Sequence, residues 1–192
     1  MSLSYETARA AVDARLSAKA AAHCHRVGDT AAGLAILYDA DPQAARIAGL
    51  LHDWDRERAP EQLLGEAQDA GLVLSDAETA RPHLLHARTG AATLRGEFPG
   101  IDDAIVHAVA RHTVGALEMT PLDMVVYLAD MIEPAREYDG VQALRDAVGA
   151  VSLGELFALG YQQSLAHIVT ARKRIHPDTV AVWNRYIAGG PR

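Results

Sequence analysis

Asp41-Pro42-Gln43-Ala44-Ala45-Arg46-Ile47-Ala48-Gly49-Leu50-Leu51-His52-Asp53 reads as a helix that ends on two ionisable groups. Asp41 supplies the N-cap, and Pro42 takes the first helical position, where a missing N–H loses no bond. The apolar run Ile47 to Leu51 then meets an imidazole beside a carboxylate. Burying that pair is costly unless a hydrogen-bonded partner or a metal ion compensates the charge. A metal would use both side chains. His23, His86, His112 and Asp130 each lie in or beside a helical apolar segment of their own, which points to one site built from several helices.

The chain has 192 residues, 49% of them hydrophobic, enough for one domain with a real core. Aromatic residues are few, Ala and Leu abound and β-branched residues do not cluster, a balance that favours helices packed on helices. The expectation is an all-α single domain over 1–192, with its core over about 16–148 and C-terminal helices over about 153–188 packed on it. No repeat, low-complexity tract or long linker divides it. The lone Cys24 allows no intrachain disulfide, and Met1-Ser2-Leu3-Ser4-Tyr5-Glu6 lacks a charged start leading into an apolar core, so a cytoplasmic location is expected. No apolar stretch approaches the roughly 20 residues that cross a bilayer, so no membrane partner is expected.

A net charge of −7 argues against a nucleic-acid partner, because such proteins concentrate Lys and Arg on one face. Arg172-Lys173-Arg174 is the one tight basic run, and it reads as a solvated helix face near a C-terminus. Attraction for phosphate must come from metal ions and a few local arginines, which favours a small anionic ligand.

Helical spacing sorts the candidate ligands. His23 falls on the line Leu16, Ala20, His23, Val27, Ala31, Leu34 and points inward, while His25 lies on the other side. A solitary inward His is more often a core residue, so its neighbours matter. Ile101, Ile105, Ala108 and His112 form another inward line that leaves His107 facing elsewhere. Asp130 closes Met124-Val125-Val126-Tyr127-Leu128-Ala129, where an unpaired carboxylate would be driven toward protonation and a cation would keep it ionised. His86 opens a segment with small residues at 87, 90 and 91 that allow close helix approach; His83 precedes it by one turn, and on pattern alone either could be a ligand. Thr120-Pro121 with Asp123 repeats the helix-start signal. Asp55 to Pro82 is charged and Gly-containing, with a short helix over Pro60 to Gly71, and reads as a mobile rim. Asp102 to His112 and Leu153 to Arg174 read as amphipathic helices.

Four imidazoles and two carboxylates exceed the four ligands of a structural zinc, which prefers thiolates. They suit two ions of iron, manganese or cobalt better than calcium or copper. Two such ions about 3.5–4 Å apart acidify a shared water and clamp phosphoryl oxygens, so hydrolysis of a phosphoester or phosphoanhydride is indicated.

The order His23, His52-Asp53, Asp130 resembles the HD-domain superfamily of metal-dependent phosphohydrolases, with His86 and His112 where its dinuclear members carry extra ligands. Ala48-Gly49-Leu50-Leu51-His52-Asp53, Leu85-His86-Ala87 and Arg111-His112-Thr113-Val114-Gly115 resemble the YqeK family. So do Met119-Thr120-Pro121-Leu122-Asp123, Val126 to Arg136, Ile175-His176-Pro177-Asp178-Thr179 and Trp183-Asn184, so the match covers nearly the whole chain. The resemblance implies an HD-domain helical bundle and symmetrical hydrolysis of diadenosine tetraphosphate to two ADP, by hydroxide activated by two metal ions. It implies that His23, His52, Asp53, His86, His112 and Asp130 are the ligands, which favours His86 over His83. Asp53 would bridge two ions, iron first, with His23, His52 and Asp130 on one and His86 and His112 on the other. Thr113 and Arg136 fall in matching motifs, and with Arg56, which keeps the charge of the lysine it replaces, they would join Asp53 in catalysis by holding phosphate or ordering the ligands. A surface ion pair of Arg136 with Glu133 or Glu137 is the plainer alternative. The chain departs from the family where Arg56 replaces a lysine, where Arg88-Thr89 follow His86-Ala87 in place of Pro and an aliphatic residue, and at Met124. Another HD phosphohydrolase acting on a dNMP or an alarmone would use the same metals behind a different pocket rim. A non-catalytic nucleotide sensor would show a broken ligand set. The partners expected are a small nucleotide substrate and, from the resemblance, a second copy in a homodimer.

Overall fold

The computed structural model describes residues 3–187; Met1, Ser2 and residues 188–192, which the 1–192 domain and the signal-sequence reading include, lie outside the described residues. The chain runs α1 (Tyr5–Arg15), α2 (Ala18–Leu37), α3 (Pro42–Leu51), α4 (Pro60–Asp69), α5 (Asp76–Ala80), a 3₁₀ turn (Pro82–Leu85) and α6 (His86–Glu97). It continues through α7 (Asp103–Arg111), α8 (Pro121–Ile132), α9 (Val141–Ala147), α10 (Leu153–Thr170) and α11 (Pro177–Ile187). Among the described residues there is no strand, as an all-α fold requires, and no helix long and apolar enough to cross a membrane.

α3 is central, packing on α1, α2, α7 and α8. Asp41 accepts from the N–H groups of Gln43 and Ala44, and Pro42 opens the helix as its sequence predicts. A glycine contact sets the closeness of α2 and α3. A Cβ on Gly28 would lie 2.9 Å from the Arg46 carbonyl, and one on Gly49 would lie 3.0 Å from Gly28 Cα. Side chains here would push the helices apart and separate His23 from His52, whose rings stand 5.2 Å apart. α8 lies fully buried along Val125, Val126, Leu128 and Ala129, and Thr120 with Asp123 closes a capping box at its start.

Four boundaries differ from the sequence reading. The inward line from Leu16 to Leu34 is not one helix: α1 ends at Arg15, and Ser17 caps α2. α1, outside the expected 16–148 core, contributes fully buried Ala8 and Val12 to it. Leu153 to Arg174 is also not one helix. α10 stops at Thr170, because Lys173 N–H donates to Ile168 and Arg172 N–H to Val169 while Arg172 takes φ 51°, a left-handed helix terminus with Arg in the usual glycine place. The basic run is therefore a turn rather than a helix face. The fourth difference lies at the rim. Asp55 is 1% exposed and receives the Arg15 guanidinium at 2.6 Å, so it anchors α1, and the exposed rim begins beyond it.

Candidate metal centre

The fold brings the six predicted ligands together. α3 and α7 end directly on His52 and His112, and α8 carries Asp130 in its last turn. Three helices thus deliver a ligand from the C-terminal end, where the partial negative charge favours a cation. His23 comes from the second turn of α2 and His86 from the first residue of α6. Donor atoms of His23, His52 and Asp130 lie within 4.8 Å of one another, as do those of His52, Asp53 and His112.

Local turns orient the rings. His52 Nδ1 donates to the Gly49 carbonyl at 2.7 Å, His86 Nδ1 to the His83 carbonyl at 2.6 Å and His112 Nδ1 to the Val109 carbonyl at 2.7 Å. Each carbonyl is three residues back, where a helical or 3₁₀ turn places it. A carbonyl can only accept, so each Nδ1 holds a proton and Nε2 is the atom each ring turns to the centre. His23 uses a side chain instead: its Nδ1 stands 3.1 Å from Glu133 Oε1. Glu133 is held by Arg26 Nε at 2.6 Å and the Ala135 N–H at 2.7 Å. The sequence reading names Glu133 only as an ion-pair partner for Arg136 and does not single out Arg26; the available signal for its role on His23 was an acid one turn after Asp130. His83 is exposed, stacks on His86 at 5.0 Å and contributes its carbonyl.

The Asp53 carboxylate divides the site. Oδ1 faces His86 Nε2 at 3.1 Å and His112 Nε2 at 3.6 Å, whereas Oδ2 faces His52 Nε2 at 3.3 Å and His23 Nε2 at 3.9 Å. Asp130 Oδ1 lies 2.9 Å from His23 Nε2 and 3.7 Å from His52 Nε2. His25 pairs instead with Asp13 at 2.8 Å, and His107 is exposed on the far face of α7.

Burial pushes the Asp53 carboxyl up, but His52 and the other imidazoles outweigh it and hold it well below the usual range. Asp130 behaves alike, burial being outweighed by His23, His52 and Arg136. Burial pushes His52 down, and Asp53 beside it more than reverses that; His112 is held below its ordinary value, chiefly by burial. The acids stay ionised, and protons compete with metal ions for the imidazole lone pairs.

The donor set fits divalent ions on two observations. His52 Nε2 is buried and makes no hydrogen bond among the described residues, a costly state that a ligated cation removes. His86 and His112 Nε2 atoms stand 3.1 Å apart with both Nδ1 protons already committed. Two facing lone pairs at that distance repel unless a cation or a proton lies at them.

The three remaining residues of the reading stand at the edge. Thr113 Oγ1 is 3.1 Å from His112 Nε2 and 3.5 Å from His86 Nε2. Arg56 is exposed, its Nε 3.8 Å from Asp53 Oδ2. Arg136 pairs with neither Glu133 nor Glu137. The chain turns after α8, with Arg136 N–H bonded to the Glu133 carbonyl, and the guanidinium folds back onto the Asp130 carboxylate and, at 2.7 Å, its carbonyl. Glu133 is already taken by Arg26 and His23.

Comparison with known proteins agrees with this geometry. The HD domain family model matches residues 20–135. The chain is 30% identical over 165 residues to a symmetrical bis(5'-nucleosyl)-tetraphosphatase of Halalkalibacterium halodurans, covering 85% of this chain and 87% of that one. It is 29% identical over 187 residues to a protein of the same name from Bacillus subtilis, covering 96% and 98%. The crystal structure of a predicted HD superfamily hydrolase involved in NAD metabolism from Clostridium acetobutylicum superposes with a TM-score of 0.91 at 28% identity, over 99% of this chain and all of that one.

Proposed function

The chain belongs to the HD-domain family, and from that premise we propose that it hydrolyses dinucleoside tetraphosphates symmetrically, releasing two nucleoside diphosphates. The observation that carries the reading is the Asp53 carboxylate, whose two oxygens face two different pairs of imidazoles. On that division His23, His52 and Asp130 would hold one divalent ion and His86 and His112 the other, with Asp53 shared between them. Iron is the first choice, manganese and cobalt the alternatives. Relatives named for the same reaction at about 30% identity support the substrate class.

The chemistry two such ions supply is Lewis acidity: stabilised charge on phosphoryl oxygens and acidified water. The protein's own groups prepare the rest. Backbone carbonyls and Glu133 fix four imidazole lone pairs before substrate arrives, so little reorganisation remains at the moment of reaction. Arg56 at the mouth and Arg136 beside Asp130 meet the phosphates, whose recruitment the net charge of −7 would otherwise oppose. The Thr113 hydroxyl, beside the His86 and His112 nitrogens, orders what enters that half. In the reaction a water oxygen bonds to a β-phosphorus, and the bond to the central bridging oxygen breaks. ADP departs as a stable anion, so no protein acid has to protonate it.

The test is anaerobic hydrolysis of diadenosine tetraphosphate with ferrous or manganous ion, products resolved by chromatography and bound metal counted in parallel. ADP as the sole product with about two metals per chain is expected. AMP with ATP, or no turnover by fully loaded protein, would overturn the reading.

A further inference from the structure

A cavity of about 430 Å³ opens directly behind Thr113, a volume in the range of small-molecule sites. It adjoins the metal centre through Thr113, although none of the six candidate ligands lines it. Thr113 lines it while touching the His86 and His112 nitrogens, and Ala87 and Arg88, the residues after His86, form one wall. The rim segment Val73 to Ser75 and Glu78 of α5 form another wall, and His176 also lines the cavity.

The lining is chemically unlike a phosphate site. Leu74, Leu84, Ala110 and Val114 are apolar, and the one cation, Arg88, is already neutralised by Glu78 at 2.7 Å. Glu78 stays ionised: burial pushes its carboxyl up, but Ser75 and Arg88 outweigh it. A polyphosphate would meet no net positive charge here, with Glu78 and Asp178 both in the lining, whereas the flat, uncharged end of a nucleotide would meet a wall of mixed apolar and hydrogen-bonding groups. Arg88 supplies those groups. Its Nη1 is fixed by Glu78 and by the Val73 carbonyl at 3.2 Å, while its Nε and Nη2 make no bond among the described residues. A guanidinium pinned on one side keeps donors and a planar face for a base.

The motif Ile175-His176-Pro177-Asp178 finds a role in the same place. His176 Nδ1 accepts from the Asp178 N–H at 3.1 Å and so caps α11, while its Nε2 lies 3.4 Å from Glu78 Oε2. His176 thereby ties the start of α11 to the acid that holds Arg88.

We propose that this cavity is the subsite for one nucleoside of the dinucleotide, base and ribose together, with Arg88 as its recognition residue. The inference rests on the hydrolase reading above. The substrate's chemistry agrees, because cleavage at the central bridge leaves a nucleoside two phosphates away on each side, and the cavity lies beside the His86 and His112 half.

The test uses metal-loaded protein and two probes: the β,γ-methylene analogue of diadenosine tetraphosphate, and inorganic tetraphosphate, which has no nucleoside. Val114→Trp fills the cavity; Arg88→Lys keeps the pair with Glu78 and loses the planar fork. Calorimetry should show the analogue binding at least about tenfold more weakly to V114W and about three- to tenfold more weakly to R88K, with tetraphosphate affinity and metal content kept. Unchanged affinity for the analogue, or an equal loss for tetraphosphate, would overturn the proposal. Turnover of diadenosine tetraphosphate is followed alongside. Wild-type protein that shows the selective binding pattern without turnover would sink the hydrolase reading and leave the nucleoside site standing.

Discussion

The two halves of the centre are built by different means. Around His86 and His112 the orienting acceptors are backbone carbonyls three residues away, so the geometry follows from the helix ends alone. Around His23 the orienting acceptor is the Glu133 carboxylate, 110 positions along the chain and itself held by the donor Arg26, while Asp130 receives the Arg136 guanidinium from six positions on. One half is local and neutral, the other long-range and charged. The first should tolerate sequence change nearby, and the second should fail when any charged partner is lost.

Asp53→Ala removes the group common to both halves. It should strip both ions and reduce hydrolysis by at least about 10³-fold, several kcal/mol of transition-state stabilisation; metal analysis with initial rates checks this, and full activity would end the two-ion account. His112→Ala and His23→Ala separate the halves. Each should lower bound metal from about two ions to about one, and a variant that loses both would show that the halves are not independent. Glu133→Gln keeps shape and removes charge. It should weaken metal binding or activity about 10- to 100-fold, as supporting-ligand changes do, and metal titration should assign the loss to a single site.

Acid sharpens the comparison away from the metals. The Glu78 carboxyl lies below its ordinary value, so the stability it contributes is complete above the unfolded value of about 4.3 and is lost as pH falls through the lower folded value. Thermal melts of wild type and Glu78→Gln should differ at neutral pH and converge in acid; a gap constant with pH would deny the ion pair with Arg88 this role. The smallest effect belongs to His107→Ala, exposed on α7. It should change stability by less than about 0.5 kcal/mol and leave the metal count intact, whereas loss of metal would show that the wrong His of that helix was chosen.

Much of this was legible because helix periodicity is a local property. Asp41-Pro42 and Thr120-Pro121 mark two helix starts, and the inward line through Ile101, Ile105 and Ala108 puts His112 on the buried face. Signals that depend on a short break were missed. Ser17 restarts a helix after a single residue, and Arg172 ends one without a glycine, so an amphipathic pattern runs through both. Asp55 reads as a rim residue because its partner Arg15 lies 40 positions earlier.

The sequence by itself determined the all-helical class, the six ionisable groups in or beside apolar helical segments, and the choice of His112 over His107. Periodicity fixes which face a side chain takes and caps fix where a helix stops. Only the tertiary structure decided how the helices meet. It brought Gly28 against Gly49, turned the two Asp53 oxygens toward different imidazoles, gave Arg136 to Asp130, and placed Arg88 and His176 around one cavity. Those outcomes rest on distances between residues far apart in the chain, set by packing of whole helices, which no local pattern encodes.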